Sequence, residues 1–178
     1  ISKFSDCIIQ GTDNLDTYYY RSWSYHILGE SRLALNDIDQ VLKHRKKSEE
    51  YNLRGWINYK LENYTDAISD FSIAINQSSD SRYYNGRAWS YLDGQKEYTR
   101  AIRDFSKAIE LNAKLDNAYF GRAFARYDSG NKNGALNDIS KAIKIDGDES
   151  SYYIIRGIIF RDLGNLDNAC GDWRKADR

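Results

Sequence analysis

A short motif returns five times along the chain: "YYYRSW" from Tyr18, "YNLRGW" from Tyr51, "YNGRAW" from Tyr84, "YFGRAF" from Tyr119 and "YIIRGI" from Tyr153. Aligned, these place Arg21, Arg54, Arg87, Arg122 and Arg156 in one column, each with Tyr three residues before and a small residue directly after: Ser22, Gly55, Ala88, Ala123 and Gly157. A second signature follows, in which Ala34, Ala67, Ala101, Ala135 and Ala169 recur at intervals of 33, 34, 34 and 34 residues. Four residues past each Ala stands a bulky apolar side chain (Ile38, Phe71, Phe105, Ile139, Trp173), and three further on come Val41, Ala74, Ala108, Ala142 and Ala176. Self-similarity at this period means stacked supersecondary units, none of which buries its apolar face alone.

Internal spacing decides what each unit is. Apolar residues fall at helical spacing in two runs, about 15–28 and 31–45 in the first complete unit, separated by a break such as "LGE" or "SGN". The small residue of the first helix and the Ala of the second allow two backbones to approach closely, so each unit is a tightly packed αα pair.

On Gly55, Tyr59, Ala67, Phe71 and Ala74, and their counterparts in four other units, the chain resembles the tetratricopeptide repeat family. The resemblance implies an all-α fold, a right-handed superhelical solenoid of antiparallel helix pairs. It divides the chain into complete repeats at about 15–47, 48–80, 81–115, 116–149 and 150–178, preceded over residues 1–14 by the second helix of a truncated repeat, all in a single domain. The chain holds no proline, where the family usually has one closing each second helix; Lys46, Ser79, Ala113 and Gly147 stand there instead. Because "ISKFSDCII" aligns in mid-repeat, with Phe4 in the Phe71 column, an excerpt of a longer protein with uncapped ends is expected.

Composition narrows the function classes. With 26 basic and 26 acidic residues the formal net charge is zero, and no run approaches the length of a membrane span. Cys7 and Cys170 lie at opposite ends of the expected stack and read as small buried core residues without a disulfide.

Two residues along a helix turn it by about 200°, so the Arg column and the Trp column face different ways. The second face holds Trp23, Trp56, Trp89, Phe124 and Ile158, with Tyr19, Asn52, Asn85, Phe120 and Ile154 four residues before and His26, Tyr59, Leu92, Tyr127 and Arg161 three after. In the tetratricopeptide family this face lines the concave groove that receives peptides. The resemblance therefore implies a binding surface of Tyr19, Trp23, Asn52, Trp56, Tyr59, Asn85, Trp89, Phe120, Phe124 and Tyr127. Aromatic residues at this spacing also pack between neighbouring first helices, and one ring can do both. Asp93, Asp128 and Asp162 follow the Leu92, Tyr127 and Arg161 column by one residue, and on a shared rim they would select Lys or Arg in a partner.

The Arg column calls for a counter-charge. Asp37, Asp70, Asp104, Asp138 and Asp172 each precede the bulky apolar residue of a second helix, which predicts a ladder of partly buried ion pairs, each Arg bridging to the Asp of its own or the preceding unit and setting the register between units.

The expected function is a scaffold that binds an apolar or aromatic peptide segment, flanked by Lys or Arg, or a partner protein. The family's chaperone-tail clamp of Lys, Asn and Arg is largely missing, because Tyr19, Trp23, Asn52, Leu53, Arg82 and Gly86 occupy its positions. Architectural self-association through uncapped ends is the alternative. RNA reading by a helical repeat is disfavoured by the zero net charge and the acidic rim, so no nucleic acid is expected. The chain reads as no enzyme and needs no cofactor or metal: it has no glycine-rich phosphate loop and no metal-ligand cluster, and His26 and His44 are its only histidines, both read as surface residues.

Overall fold

The computed structural model describes residues 1–9 and 14–177. The described residues are helical throughout: α1 (Ser2–Ile9), α2 (Leu15–Ile27), α3 (Ser31–His44), α4 (Ser48–Lys60), α5 (Tyr64–Gln77), α6 (Ser81–Gln95), α7 (Tyr98–Leu111), α8 (Asp116–Asp128), α9 (Lys132–Ile145), α10 (Ser150–Asp162) and α11 (Leu166–Ala176). They form two compact units, Ile1–Gln95 and Lys96–Arg178, with the boundary in the turn between α6 and α7. Consecutive helices pack as antiparallel neighbours inside each unit.

The turns follow from single residues. Gly29, Gly130 and Gly164 have φ of 80°, 89° and 80°, and Glu62 takes the same place with φ of 62°. A left-handed residue there closes the first helix with paired hydrogen bonds, as where Gly130 N–H reaches Tyr127 O at 2.9 Å and Asn131 N–H reaches Arg126 O at 2.8 Å. The second helices end without proline because the next residue is already extended: φ/ψ is −133/111° at Arg45, −153/133° at Ser78, −144/95° at Asn112 and −127/104° at Asp146. Proline enforces this geometry on its predecessor, and here the chain reaches it without one.

Packing is complementary in volume along two columns. Ala34, Ala67, Ala101, Ala135 and Ala169 are all fully buried. Phe71 and Trp173 face Gly55 and Gly157 of their own hairpins, where an added Cβ would come within 2.9 Å of Phe71 Cε1 and 2.3 Å of Trp173 Nε1. The smaller Ile139 faces Ala123 instead. Toward the following repeat, Phe71 faces Gly86 and Phe105 faces Gly121, while Ile38 shares a cluster with Leu53 and Ile139 packs near Ile155. A large ring on one helix is met by no side chain on the next, and a medium one by another medium one, which keeps each contact filled at near-constant volume.

The predicted ladder is present at four of its five Arg positions. Arg21, Arg54, Arg122 and Arg156 each make a two-pronged contact with the Asp sixteen residues on, through Nε and Nη2 at 2.6–2.9 Å to Asp37, Asp70, Asp138 and Asp172. The remaining nitrogen, Nη1, reaches back to the preceding second helix: Ser5 at 3.2 Å, Asp39 at 3.0 Å, Ser106 at 3.0 Å and Ser140 at 3.5 Å. Arg87 makes the equivalent reach to Ser72 at 3.1 Å. The Tyr three residues before each Arg places its ring 5.6–5.7 Å from the guanidinium carbon, which explains why the Tyr column travels with the Arg column. Arg21, Arg54, Arg122 and Arg156 are thus clips that each join three helices.

Cys170 departs from its expected place: it is exposed on α11, not buried. It occupies the column of Leu35, Ile68, Ile102 and Leu136, the side of a second helix that faces the following repeat. The side chain of Cys7 lies outside the described residues.

Candidate functional site

The second face of the first helices mixes buried, half-buried and exposed side chains within each unit. In the first unit, Tyr19 is half-buried beneath Arg45, whose guanidinium carbon lies 5.5 Å from the ring centre, and burial raises the phenol above its ordinary range. Trp23 is exposed. Trp56 is half-buried and meets Tyr59 and Phe71 edge-on at 5.5 and 5.4 Å, so it is part core and part surface. Asn52 is half-buried, with no hydrogen-bond partner for its Oδ1 among the described residues. Asn85 is buried, and Trp89 is half-buried. In the second unit Phe120 meets Phe124 edge-on at 5.5 Å and lies 4.9 Å from Tyr152 of α10.

The acidic positions divide. The Tyr59 hydroxyl donates to Asp93 of the next first helix, and the Tyr127 hydroxyl donates to Asp162 at 2.5 Å. The bond from Tyr127, followed by Arg161, holds the Asp162 carboxyl below its usual range; burial, then Asp93, pushes the Tyr59 phenol up. Asp128 is exposed. It follows Tyr127, and Leu92, one repeat earlier in the tyrosine column, has no hydroxyl to donate.

Two further tyrosines that the sequence did not single out tie the other ends of the same helices. Tyr83 donates to Glu49 at 3.2 Å, and Tyr152 donates to Asp116. α4 and α6 are therefore joined at both ends by phenol–carboxylate hydrogen bonds, and so are α8 and α10. Between the two ties of α8 and α10 lies an apolar pocket of about 140 Å³, lined by Phe124, Tyr127, Ile155, Ile158 and Ile159. Phe124 and Tyr127 were legible as groove residues. Ile155 and Ile159 were not, although Ile155 stands where Gly86 and Gly121 stand in other repeats, and that change of size was a signal in the sequence.

His26 differs from its surface reading. It is half-buried, its Nδ1 has no hydrogen-bond partner among the described residues, and burial, then Lys60, lowers its pKa. Since the folded state disfavours the imidazolium, this group's contribution to stability is complete above the unfolded pKa of about 6.5 and is lost as pH falls through the lower folded value. The melting temperature is expected to fall between pH 7 and pH 5, and His26→Gln to remove part of that slope. Parallel melting curves for parent and variant over this range would show that His26 does not carry it.

Residues 52–116 match the family model of the tetratricopeptide repeat. Over residues 52–116 the chain carries the tetratricopeptide repeat. Several solved repeat structures share the fold. The 41-end form of MamA from Desulfovibrio magneticus RS-1 superposes with a TM-score of 0.80 at 17% identity, covering 92% of this chain and 93% of that one. A tetratricopeptide repeat protein from Parabacteroides merdae ATCC 43184 gives 0.77 at 26% identity, over 98% of this chain and 68% of that one. YrrB, described as a tetratricopeptide repeat protein with an unusual peptide-binding site, gives 0.70 at 18% identity, over 97% and 90%. In a search of curated proteins none matches the chain. The fold class is accordingly the tetratricopeptide-like α–α solenoid. Among the described residues no helix of these repeats is long and apolar enough to cross a membrane.

Proposed function

We propose that the repeats form a non-catalytic scaffold that binds a peptide segment of another protein on the second face of its first helices. The observation that carries this reading is the apolar pocket between α8 and α10. Its walls offer no hydrogen-bonding group except the Tyr127 hydroxyl, which is already committed to Asp162. The volume suits one Leu, Ile or Met side chain, and burying such a side chain contributes roughly 1.5–3 kcal/mol. The peptide-binding site attributed to YrrB, a protein of the same fold, supports the class of ligand.

Charge selection rests on Asp128. Asp93 and Asp162 share their carboxylates with tyrosines of the preceding first helices, whereas Asp128 is exposed. The preferred segment is an apolar anchor followed by Lys or Arg, bound more weakly as salt rises. A random-peptide display selection against the chain is expected to enrich such segments. Asp128→Lys should reduce the capture of basic winners about tenfold or less, and Ile158→Glu should abolish it, with circular dichroism unchanged in both. Winners without an apolar anchor, or capture indifferent to Ile158→Glu, would refute the pocket as the site.

A further inference from the structure

Within each unit, neighbouring first helices meet near their C-terminal ends through one pair of columns. Tyr59 of α4 gives its hydroxyl hydrogen to Asp93 of α6, and Tyr127 of α8 gives its own to Asp162 of α10, so a donor faces a carboxylate. At the corresponding place α2 presents His26 and α4 presents Lys60. Both helices of this contact are in position, yet a donor there faces a donor.

Neither group is satisfied. Lys60 is exposed, and its ammonium makes no ion pair or hydrogen bond among the described residues. His26 is half-buried, and its enclosed Nδ1 has no partner among them. An enclosed N–H with no acceptor is a costly state, so the neutral ring keeps Nδ1 bare and carries its hydrogen on Nε2 as a donor. What the pair lacks is an acceptor, and a negatively charged one serves both members. We infer that His26 and Lys60 form a subsite for a carboxylate from outside the chain, that of an Asp or Glu side chain of a partner polypeptide. The subsite lies in the first unit and rests on no part of the reading of the α8–α10 pocket.

The C-terminal end of a helix is ordinarily a poor place for an anion, because unsatisfied carbonyls gather there. Here those carbonyls are engaged: Leu28 N–H reaches Ser24 O at 3.2 Å, Glu30 N–H reaches Tyr25 O at 2.9 Å, and Asn63 N–H reaches Asn58 O at 2.9 Å. The chain itself sets side-chain carboxylates at this position, in Asp93 and Asp162, wherever the preceding first helix offers a hydroxyl. A partner's Asp or Glu would supply to α2 and α4 what those residues supply to the other pairs, with one oxygen for each donor. The subsite is also coupled to pH. Among the described residues Lys60 of α4 is the charged group that bears on His26, and burial, then Lys60, opposes the imidazolium. A bound carboxylate offsets that repulsion, so binding and protonation of His26 favour one another. Affinity therefore rises as pH falls from about 7, until the ligand's own carboxyl takes up a proton near about 4.3.

The test titrates two short alanine peptides, blocked at both ends and carrying a central Glu or a central Gln, into the ¹³C-labelled chain. The imidazole Cε1–Hε1 signals of His26 and His44 are followed, assigned through His26→Gln. The Glu peptide is expected to shift the His26 signal saturably at millimolar concentration and to leave that of the exposed His44 where it was. It should also raise the midpoint of the His26 pH titration by about 0.5 or more, which is about a threefold preference for the protonated ring. Lys60→Gln, at an exposed position, should weaken the Glu peptide about threefold to fivefold, the worth of one exposed ion pair. Equal shifts with the Gln peptide, an unmoved His26 midpoint, or unchanged affinity in Lys60→Gln would each overturn the inference. Binding only of an alanine peptide with a free C-terminal carboxylate and no Glu would overturn it as well, by giving the subsite to a chain end.

Discussion

Gly121→Leu is expected to lower the melting temperature of the chain more than any other single packing change in the second unit, and Phe105→Ile is expected to restore most of the loss. An ideal Cβ at position 121 would stand 2.3 Å from Phe105 Cζ, and Phe105 is fully buried, so its ring has no free space to move into. Overpacking of this kind costs about 1–3 kcal/mol and sometimes more. In a chain of this size that corresponds to a fall of roughly 2–12 °C. Phe105→Ile with Gly121→Leu recreates the combination found at Ile38 with Leu53 and at Ile139 with Ile155. The two changes should therefore be strongly non-additive, with a coupling of about 1–3 kcal/mol in the double-mutant cycle. Additive effects would mean that the two columns do not compensate for one another. Gly55→Leu and Ala101→Leu should also destabilise by overpacking, since both positions are buried.

Asp70→Ala should be the most damaging change to the ladder. The Asp70 carboxylate is buried and receives Arg54 through two nitrogens and Asn58 Nδ2 at 3.0 Å. Its loss strands a guanidinium and an amide together, and breaking a buried pair from one side costs about 3–5 kcal/mol. The lower end is expected here, because Arg54 keeps Asp39 at 3.0 Å. Arg54→Leu combined with Asp70→Leu should cost less than Asp70→Ala alone, since both charges then leave together. Chemical denaturation of the three proteins measures this order. A double variant less stable than Asp70→Ala would show that the pair is worth more than the hydrophobic replacement and that the ladder sustains the fold directly.

Much of this was legible in the sequence because a repeat displays its constraints several times. The small-residue and Ala columns specified helix hairpins, and matched Arg and Asp columns specified the ion pairs, each a contact of sixteen residues repeated in register. The phenol–carboxylate ties were harder to see. They join residues 34 to 36 apart on successive first helices, and their columns change chemistry from repeat to repeat: the position of Tyr59 and Tyr127 holds His26 and Leu92 elsewhere. A residue such as Asp93 therefore looks like a free surface charge until the helix that carries its partner is placed. Cys170 misled for a related reason, since its column is half-buried at Leu35, Ile68, Ile102 and Leu136 and the pattern alone does not say what covers each member. The pocket was hidden because it depends on what α8 and α10 leave unfilled between them, and single columns do not report on a gap.

The most direct measurement is an isoleucine δ1-methyl ¹H–¹³C spectrum of the labelled chain with and without a peptide obtained by the display selection. Binding is expected to shift the methyl signals of Ile155, Ile158 and Ile159, which line the pocket between α8 and α10, and to leave those of Ile38 and Ile57, buried in the first unit, where they were. Saturable shifts confined to methyls away from that pocket would contradict the account.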